Sequence, residues 1–385
     1  MAKARPGARY WTARRKRAAA RLALFVVVLA LFSIPAPRYY ERRRQRLTHI
    51  AALDPHFREE WEADRPWRLP GSCESRLGAV LPLDPTAAAF SLERSRLYGE
   101  FASGLEARGL DVFSRAAAAA ASSSAASTTQ GLGLSDLFDF HPRSGRVTAR
   151  LHRLDVPVRA VVLPLPAASR AAARIHRTTR RVLGEHFPGY GSKDGLAGHG
   201  DSVWYQDPTA YHFSVYHASH HLAEVRVTPE EERSEAAAIA GACASMCPIR
   251  AVIERVVVAP SGAVLALWNV AAGTEPSDLR AALRAALPNS PRAQIVKDRA
   301  ILHTTVARLL RPPLGPMGAV VRDGGAGAAR KAAAAMTASL CGTEATLPVA
   351  WFVRERDKLA LALGGEYEPE TMPFACEAGG GRGLE

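Results

Sequence analysis

Two short segments of the sequence share one pattern, a histidine followed two residues later by a serine or threonine inside an apolar run. The first is the run 207–221, DPTAYHFSVYHASHH, and the second is the run 301–309, ILHTTVARL. Aromatic and β-branched residues surround both histidines, and that composition is typical of β-strands. The chain is therefore expected to fold around two strands that each present an imidazole and a hydroxyl.

Alternate side chains of a strand share one face, so each histidine is expected beside its hydroxyl residue. The predicted pairs are His212 with Ser214, and His303 with Thr305. A regular first strand also puts Tyr216 on the histidine face and His217 on the opposite face. A regular second strand turns Arg308 away from His303. Tyr216, His217 and Tyr205 are candidates for the border of a cleft.

Four histidines have a Ser or Thr two residues later, so the pattern alone is weak. His176 lies in a predicted helix, where positions two apart do not share a face. His217 overlaps the first segment. A histidine in an apolar strand is often only structural, and the matched pair of strands is what favours a functional reading for His212 and His303.

The remaining pattern interleaves strands and helices. The order of a histidine strand, a helix and a hairpin occurs at 211–270 and again at 301–363, which predicts an internal structural repeat. The second hairpin is predicted from strands at 347–354 and 358–363. These elements predict an α+β fold whose two histidine strands face each other across a cleft.

Longer segments around both patterns resemble a known family. The segments WYQDPTAYHFSVYHASHHL, CPIRAVIERVVVAPSGAVLALWNV, LRAALRAALP and ILHTTVARLL are similar to plant and algal proteins of the RNA ligase/cyclic nucleotide phosphodiesterase family, within the two-histidine phosphoesterase superfamily. The resemblance covers about residues 131–365. It implies two pseudo-symmetric lobes of antiparallel sheet with flanking helices and a central cleft.

The resemblance also implies roles for the paired residues. His212 and His303 would be the catalytic acid and base, and Ser214 and Thr305 would bind the phosphate oxygens. Two imidazoles can exchange protons near neutral pH, so neither a metal nor a cofactor is expected. Ser214 departs from the commoner Thr of the first motif but keeps the hydroxyl.

Charge is distributed very unevenly along the chain. The net charge is +13, but residues 1–46 hold 13 basic residues and one acidic residue, and the other 339 residues hold 37 basic and 36 acidic residues. A nearly neutral body gives no general affinity for polyanions. We therefore expect a small nucleotide or RNA-end substrate, no long nucleic acid, and a monomer.

The basic N-terminus flanks the apolar run Leu22 to Ile34, LALFVVVLALFSI. With its neighbours, over about residues 18–36, this run approaches the lower limit of ~17 residues for a membrane span. We expect an N-terminal membrane-anchor helix, in a single-pass type II protein of the secretory pathway. A cleaved signal peptide and a chloroplast or mitochondrial transit peptide are the alternatives.

The other boundaries follow from composition. Residues 47–115 are expected to form a juxtamembrane helical region, 116–130 a low-complexity Ala/Ser/Thr linker, and 366–385 a flexible tail. The five cysteines leave at least one unpaired within the chain. Their spacing does not indicate a zinc site.

The expected activity is cyclic phosphodiester hydrolysis, for example of a 2′,3′-cyclic nucleotide. One alternative is a non-catalytic module that binds a nucleotide or a protein. Another is RNA end ligation.

Overall fold

A computed structural model describes residues 72–81, 85–113, 132–141, 146–188, 202–298, 300–313, 320–321 and 323–375. The segment Arg68–Glu385 forms one compact unit. The predicted anchor at 18–36, the residues 47–71 and the linker 116–130 lie outside the described residues. Within the described part of the chain, no helix combines the length and the apolar character that a membrane crossing requires.

After a helical start, the described residues contain helices separated by one to three consecutive strands. The helices are α1 (Cys73–Gly78), α2 (Pro85–Arg108), α3 (Leu134–Leu137), α4 (Arg170–His186), α5 (Pro229–Ala244), α6 (Pro276–Ala286), α7 (Ala326–Leu340) and α8 (Ala360–Leu363). The strands are β1 (Phe138–Phe140), β2 (Val147–Ala149), β3 (Arg153–Pro164), β4 (Val203–Tyr205), β5 (His212–Ser219), β6 (Ile249–Val258), β7 (Ala263–Ala272), β8 (His303–Leu309), β9 (Glu344–Leu347), β10 (Val349–Asp357) and β11 (Tyr367–Pro373). Short 3-10 turns occur at Asp111–Phe113 and Pro208–Ala210.

The strands form two main antiparallel sheets and one small one. We call the four-stranded sheet, with strand order β11-β10-β3-β5, the first sheet, and the five-stranded sheet, with order β4-β8-β7-β6-β9, the second sheet. Strands β1 and β2 pair separately. The predicted α+β class with antiparallel sheets is therefore confirmed, and each histidine strand belongs to a different main sheet.

Each main sheet carries a pair of helices. Helices α5 and α6 pack on the first sheet, and α4 and α7 pack on the second. Their apolar faces form one large core with the sheets, where the ring of Phe213 on β5 meets the ring of Trp268 on β7 at 5.4 Å between centroids. Local chemistry fixes where the helices begin: Thr228 and Glu231 form a reciprocal capping box at the start of α5.

Helix α2 packs on the second sheet, against the strands next to the second histidine strand. Its Tyr98 is fully buried among Val257, Leu265 and Leu267. Arg94 is also fully buried and forms an ion pair with Glu275. This part of the predicted helical region 47–115 thus belongs to the same compact unit as the sheets.

The turn between β6 and β7 touches the second histidine strand. Gly262 has φ +78°, and a Cβ at this position would lie 2.9 Å from the carbonyl oxygen of Leu309. Its own carbonyl accepts a hydrogen bond from the N–H of Leu309 at 2.8 Å. Glycine is required here because the turn and β8 approach each other too closely for a side chain.

The C-terminal elements differ from the prediction in two places. Residues 360–363, predicted as a strand, form helix α8, where Leu359 and Gly364 adopt positive φ at either end. Residues 367–373, predicted as part of a flexible tail, form edge strand β11 on β10. Strand β11 is mostly exposed and rich in Glu and Pro, so its composition does not reveal the pairing with the preceding strand β10. The hairpin of β6 and β7 is confirmed by their pairing.

A disulfide between Cys73 and Cys341 ties α1 to the end of α7. Cys243 is buried in α5 and free, in keeping with the odd number of cysteines.

Candidate active site

The first histidine strand contains a β-bulge directly after Ser214. Alternate residues of β3 share a face, and the three that pair with β5 through this stretch are Pro164, Val162 and Ala160. Their partners are His212, Ser214 and His217. Because Val215 is the extra residue of the bulge, the alternation of side chains between the two faces of the strand shifts by one residue after Ser214.

The second histidine strand has a bulge at the same place. On β7, Leu267, Leu265 and Ala263 share a face, and their partners on β8 are His303, Thr305 and Arg308. Here Val306 is the extra residue. Both strands therefore place a histidine, a hydroxyl and a third side chain five residues after the histidine on one face. We call these six residues the histidine faces: His212, Ser214, His217, His303, Thr305 and Arg308.

The bulges overturn three predictions that assumed regular strands. Tyr216 lies on the opposite side of β5, where it is buried in the core and its hydroxyl contacts Ser290 Oγ at 2.6 Å. His217 takes the histidine face instead. Arg308, predicted on the wrong face, lies on the same face as His303. A bulge depends on pairing with a neighbouring strand, so the sequence of either strand alone does not show it.

The two histidine strands lie next to each other at the junction of the main sheets. One buried residue that the sequence analysis missed, Arg280 on α6, connects them. Its Nη2 donates to the carbonyl of Ile301 at 2.9 Å and to that of Ser214 at 3.3 Å, and its Nε donates to the carbonyl of Val215 at 3.2 Å. The only sequence signal was an arginine on the apolar side of an amphipathic helix.

The ring of His212 has a defined orientation. Its Nδ1 lies 2.8 Å from the carbonyl oxygen of Ala210. A carbonyl can only accept, so Nδ1 carries the hydrogen, and Nε2 is the free nitrogen of the neutral ring. Burial lowers the pKa of His212, and the hydrogen bond to Ala210 partly opposes this effect because it stabilises the imidazolium.

His303 is partly buried and has a lower proton affinity than a free histidine. Burial, the neighbouring charge of His212 and that of Arg280 lower its pKa to about 4. The hydroxyls of Ser214 and Thr305 are partly buried and make no hydrogen bond to any other described residue. Both remain available to a bound anion.

Two further residues border this region. His217 is buried, its ring meets that of His220 edge-on at 5.8 Å, and burial with three neighbouring histidines lowers its pKa to about 3. Arg308 is buried as well, and burial lowers its pKa to about 10. Arginine remains charged at neutral pH at such a value, so a cation lies on the face of Thr305.

Tyr205 on β4 is the remaining predicted border residue, and it pairs with Ala307 on β8. The guanidinium carbon of Arg180 lies 4.7 Å from the centroid of the Tyr205 ring. Ala307 belongs to the core side of β8, so Tyr205 lies on the side away from the histidine face. Through the ranges that the structure describes, no group of three or more His, Cys, Asp or Glu side chains is arranged to hold a metal ion.

Comparison with known protein families found no family that matches the chain, and comparison with curated proteins found no match. Among solved structures, one similar chain is the protein TT0787 of Thermus thermophilus, known from a crystal structure. It is 15% identical, with a TM-score of 0.33, and the alignment covers 57% of this chain and 99% of that chain. A likeness of this strength assigns no family.

Proposed function

We propose that the protein is a two-histidine phosphoesterase that opens a small cyclic phosphodiester, such as a 2′,3′-cyclic nucleotide, by metal-independent acid–base catalysis. The observation that carries this proposal is the matched pair of histidine faces. Two strands from different sheets, each with the same bulge, lie side by side and present an imidazole and a hydroxyl apiece. This correspondence also supports the pseudo-twofold relation of two lobes that the sequence resemblance implied.

The surroundings of the two imidazoles suggest which one acts as the acid and which as the base. Burial lowers the pKa of both histidines. The Ala210 carbonyl stabilises the imidazolium of His212, whereas the ring of His303 has no hydrogen-bond partner among the described residues. In the singly protonated pair the proton therefore resides on His212. His303 would take a proton from water as its oxygen attacks phosphorus, and His212 would give a proton to the ribose oxygen as its bond to phosphorus breaks. The protons then exchange with solvent, so the reaction balances with water as the only co-reactant.

The negative charge that develops on phosphate needs compensation. Ser214 and Thr305 supply hydroxyl donors from the two strands, and Arg308 supplies a buried positive charge on the face of Thr305. Preorganised donors and charges of this kind are worth most where water is excluded. The bound phosphate would in turn raise the proton affinity of both imidazoles.

Packing over the sheets favours a small substrate. Helix α2 covers β7 and β6 on the side that carries His303, through Tyr98 against Leu265 and Leu267. On the first sheet, Leu361 of α8 packs against Val162 and Ala160, which lie opposite Ser214 and His217. Both faces are thus partly covered beside the histidines. The remaining space favours a mononucleotide or the end of an RNA chain over a long nucleic acid.

The test is turnover of 2′,3′-cyclic nucleotides by the full-length chain, with His212→Ala/His303→Ala as the matched inactive variant. The full chain is used because α2, which lies before residue 131, packs into the compact unit. Turnover that disappears in the double variant supports the proposal. Ligand binding without turnover in the wild-type protein would contradict it and favour a binding module.

A further inference from the structure

A cavity lies on the side of the first histidine strand that faces away from His212. It has a volume of about 620 Å³ and opens between α2, β5, α6 and the loop 292–297. This is within the size range of small-molecule sites. Its wall includes Tyr216, which the bulge in β5 turns away from His212, and none of the six residues of the histidine faces lines it.

Positive charge dominates the wall of this cavity. Its wall contains one acidic side chain, Asp278, and four cationic side chains, those of Arg280, Arg284, Arg292 and Lys297. Arg292 and Lys297 are exposed and, like Arg284, form no ion pair with any described residue. The guanidinium of Arg284 donates only to neutral carbonyls, those of Pro291 and Arg292, both at 3.1 Å. The cavity therefore attracts anions, because the charges of Arg284, Arg292 and Lys297 are not neutralised by ion pairs with described residues.

The cavity also offers an apolar wall and a hydroxyl. Phe90 on α2 is partly exposed and lines one side. The Oγ of Ser277, at the start of α6, is buried and has no hydrogen-bond partner among the described residues. An aromatic ring favours a flat apolar ligand group, and an unpaired buried hydroxyl favours a polar ligand atom beside it.

We propose that this cavity is a second binding site, for a phosphorylated small molecule that carries a ring, the chemical class of nucleotides. Arg292, Lys297 and Arg284 hold the phosphates, and Phe90 contacts the ring. Arg280 lines the cavity and also donates to carbonyls of both histidine strands.

The experiment measures binding of adenosine 5′-diphosphate to the full-length chain by calorimetry. Arg292→Glu/Lys297→Glu reverses two charges on the cavity wall, and Arg226→Glu/Lys331→Glu makes the same change at exposed positions outside it. The first variant is expected to weaken binding at least tenfold, and the second less than twofold. His212→Ala/His303→Ala is expected to leave the Kd within twofold of the wild-type value.

Equal weakening in both charge variants, or no binding to the wild-type chain, would overturn the second site. Loss of binding in the double histidine variant would also overturn it, since the ligand would then occupy the histidine faces. Inorganic pyrophosphate tests the ring contact: Phe90→Ala is expected to weaken diphosphate nucleotide binding at least fivefold and to leave pyrophosphate unchanged. Binding that is insensitive to Phe90 for both ligands would refute the ring-bearing class. Failure of cyclic nucleotide turnover has no bearing on these outcomes.

Discussion

The hydroxyl of Tyr98 accepts a hydrogen bond at 3.1 Å from the backbone N–H of Leu302, the residue directly before His303. The same hydroxyl donates to the carbonyl of Trp268 at 2.6 Å, on the neighbouring strand β7. One side chain of α2 thus joins two strands at the point where the second histidine strand begins. The helix that precedes the predicted phosphoesterase domain therefore helps to set the position of His303.

Tyr98→Phe is expected to lower the free energy of unfolding by about 1–3 kcal/mol, because the buried N–H of Leu302 loses its partner. It is also expected to reduce kcat for cyclic nucleotide turnover, since the backbone at His303 loses its support. Chemical denaturation and steady-state kinetics check the two effects. Arg96→Ala, at an exposed position of the same helix, is the control. Wild-type stability in Tyr98→Phe would contradict the anchoring role.

Arg94 makes the second buried link between α2 and the rest of the unit. Its Nε donates to the carbonyl of Ala300 at 2.9 Å, and its guanidinium pairs with Glu275. Arg94→Met is expected to cost about 3–5 kcal/mol of stability, because it leaves the carboxylate of Glu275 desolvated without a partner. The double variant Arg94→Met/Glu275→Gln is expected to regain part of this loss in denaturation experiments. A double variant no more stable than Arg94→Met would mean that the ion pair is not the cause.

Local features of this fold are predictable from the sequence, and features that depend on pairing between distant segments are not. The strand character of 212–219 and 303–309 is local, so composition was enough to predict both strands and the shared face of each histidine and its hydroxyl residue. The positions of His217, Arg308 and Tyr216 depend on bulges, which arise from pairing with β3 and β7. The sequence does not single out Arg94 or Arg280, because their partners lie far away in sequence and become neighbours only in the folded chain.

Arg280 is expected to position the two histidine strands. Its three hydrogen bonds to carbonyls of Ser214, Val215 and Ile301 require a planar fork of donors, which lysine does not have. Arg280→Lys keeps the charge but is expected to lower kcat by about 10–100-fold, because small displacements of catalytic groups are costly. Arg226→Lys, at an exposed position, serves as control in the same assay. A fall in affinity alone, with kcat unchanged, would show that Arg280 contributes charge rather than geometry.

Activity is expected to be highest at acidic pH when it is measured as kcat/KM. The proposed reaction requires one neutral and one protonated imidazole in the free protein. The pKa of His303 is about 4, and burial holds that of His212 below its ordinary value of 6.5. The singly protonated pair is therefore most abundant below pH 6.5, and kcat/KM should fall about tenfold per pH unit well above that value. Bound phosphate favours the imidazolium, so the optimum of kcat should lie at higher pH. A kcat/KM optimum above pH 7 would contradict the lowered pKa values of this pair.

The buried ring of His217 is expected to make the free energy of unfolding depend on pH. Burial and neighbouring histidines lower its pKa to about 3 in the folded protein, against 6.5 in the unfolded chain. Below pH 6.5 the unfolded chain binds the proton more readily, so stability is lost as pH falls from 6.5 towards 3, at about 1.4 kcal/mol per pH unit for this one group. Between pH 7 and pH 5, His217→Gln should therefore lose ~2 kcal/mol less stability than the wild-type chain. The comparison uses the slope of unfolding free energy against pH, so a general destabilisation by the substitution does not disturb it. His141→Gln, at an exposed position, is expected to keep the wild-type slope, and an unchanged slope in His217→Gln would show that this imidazole does not carry the acid sensitivity.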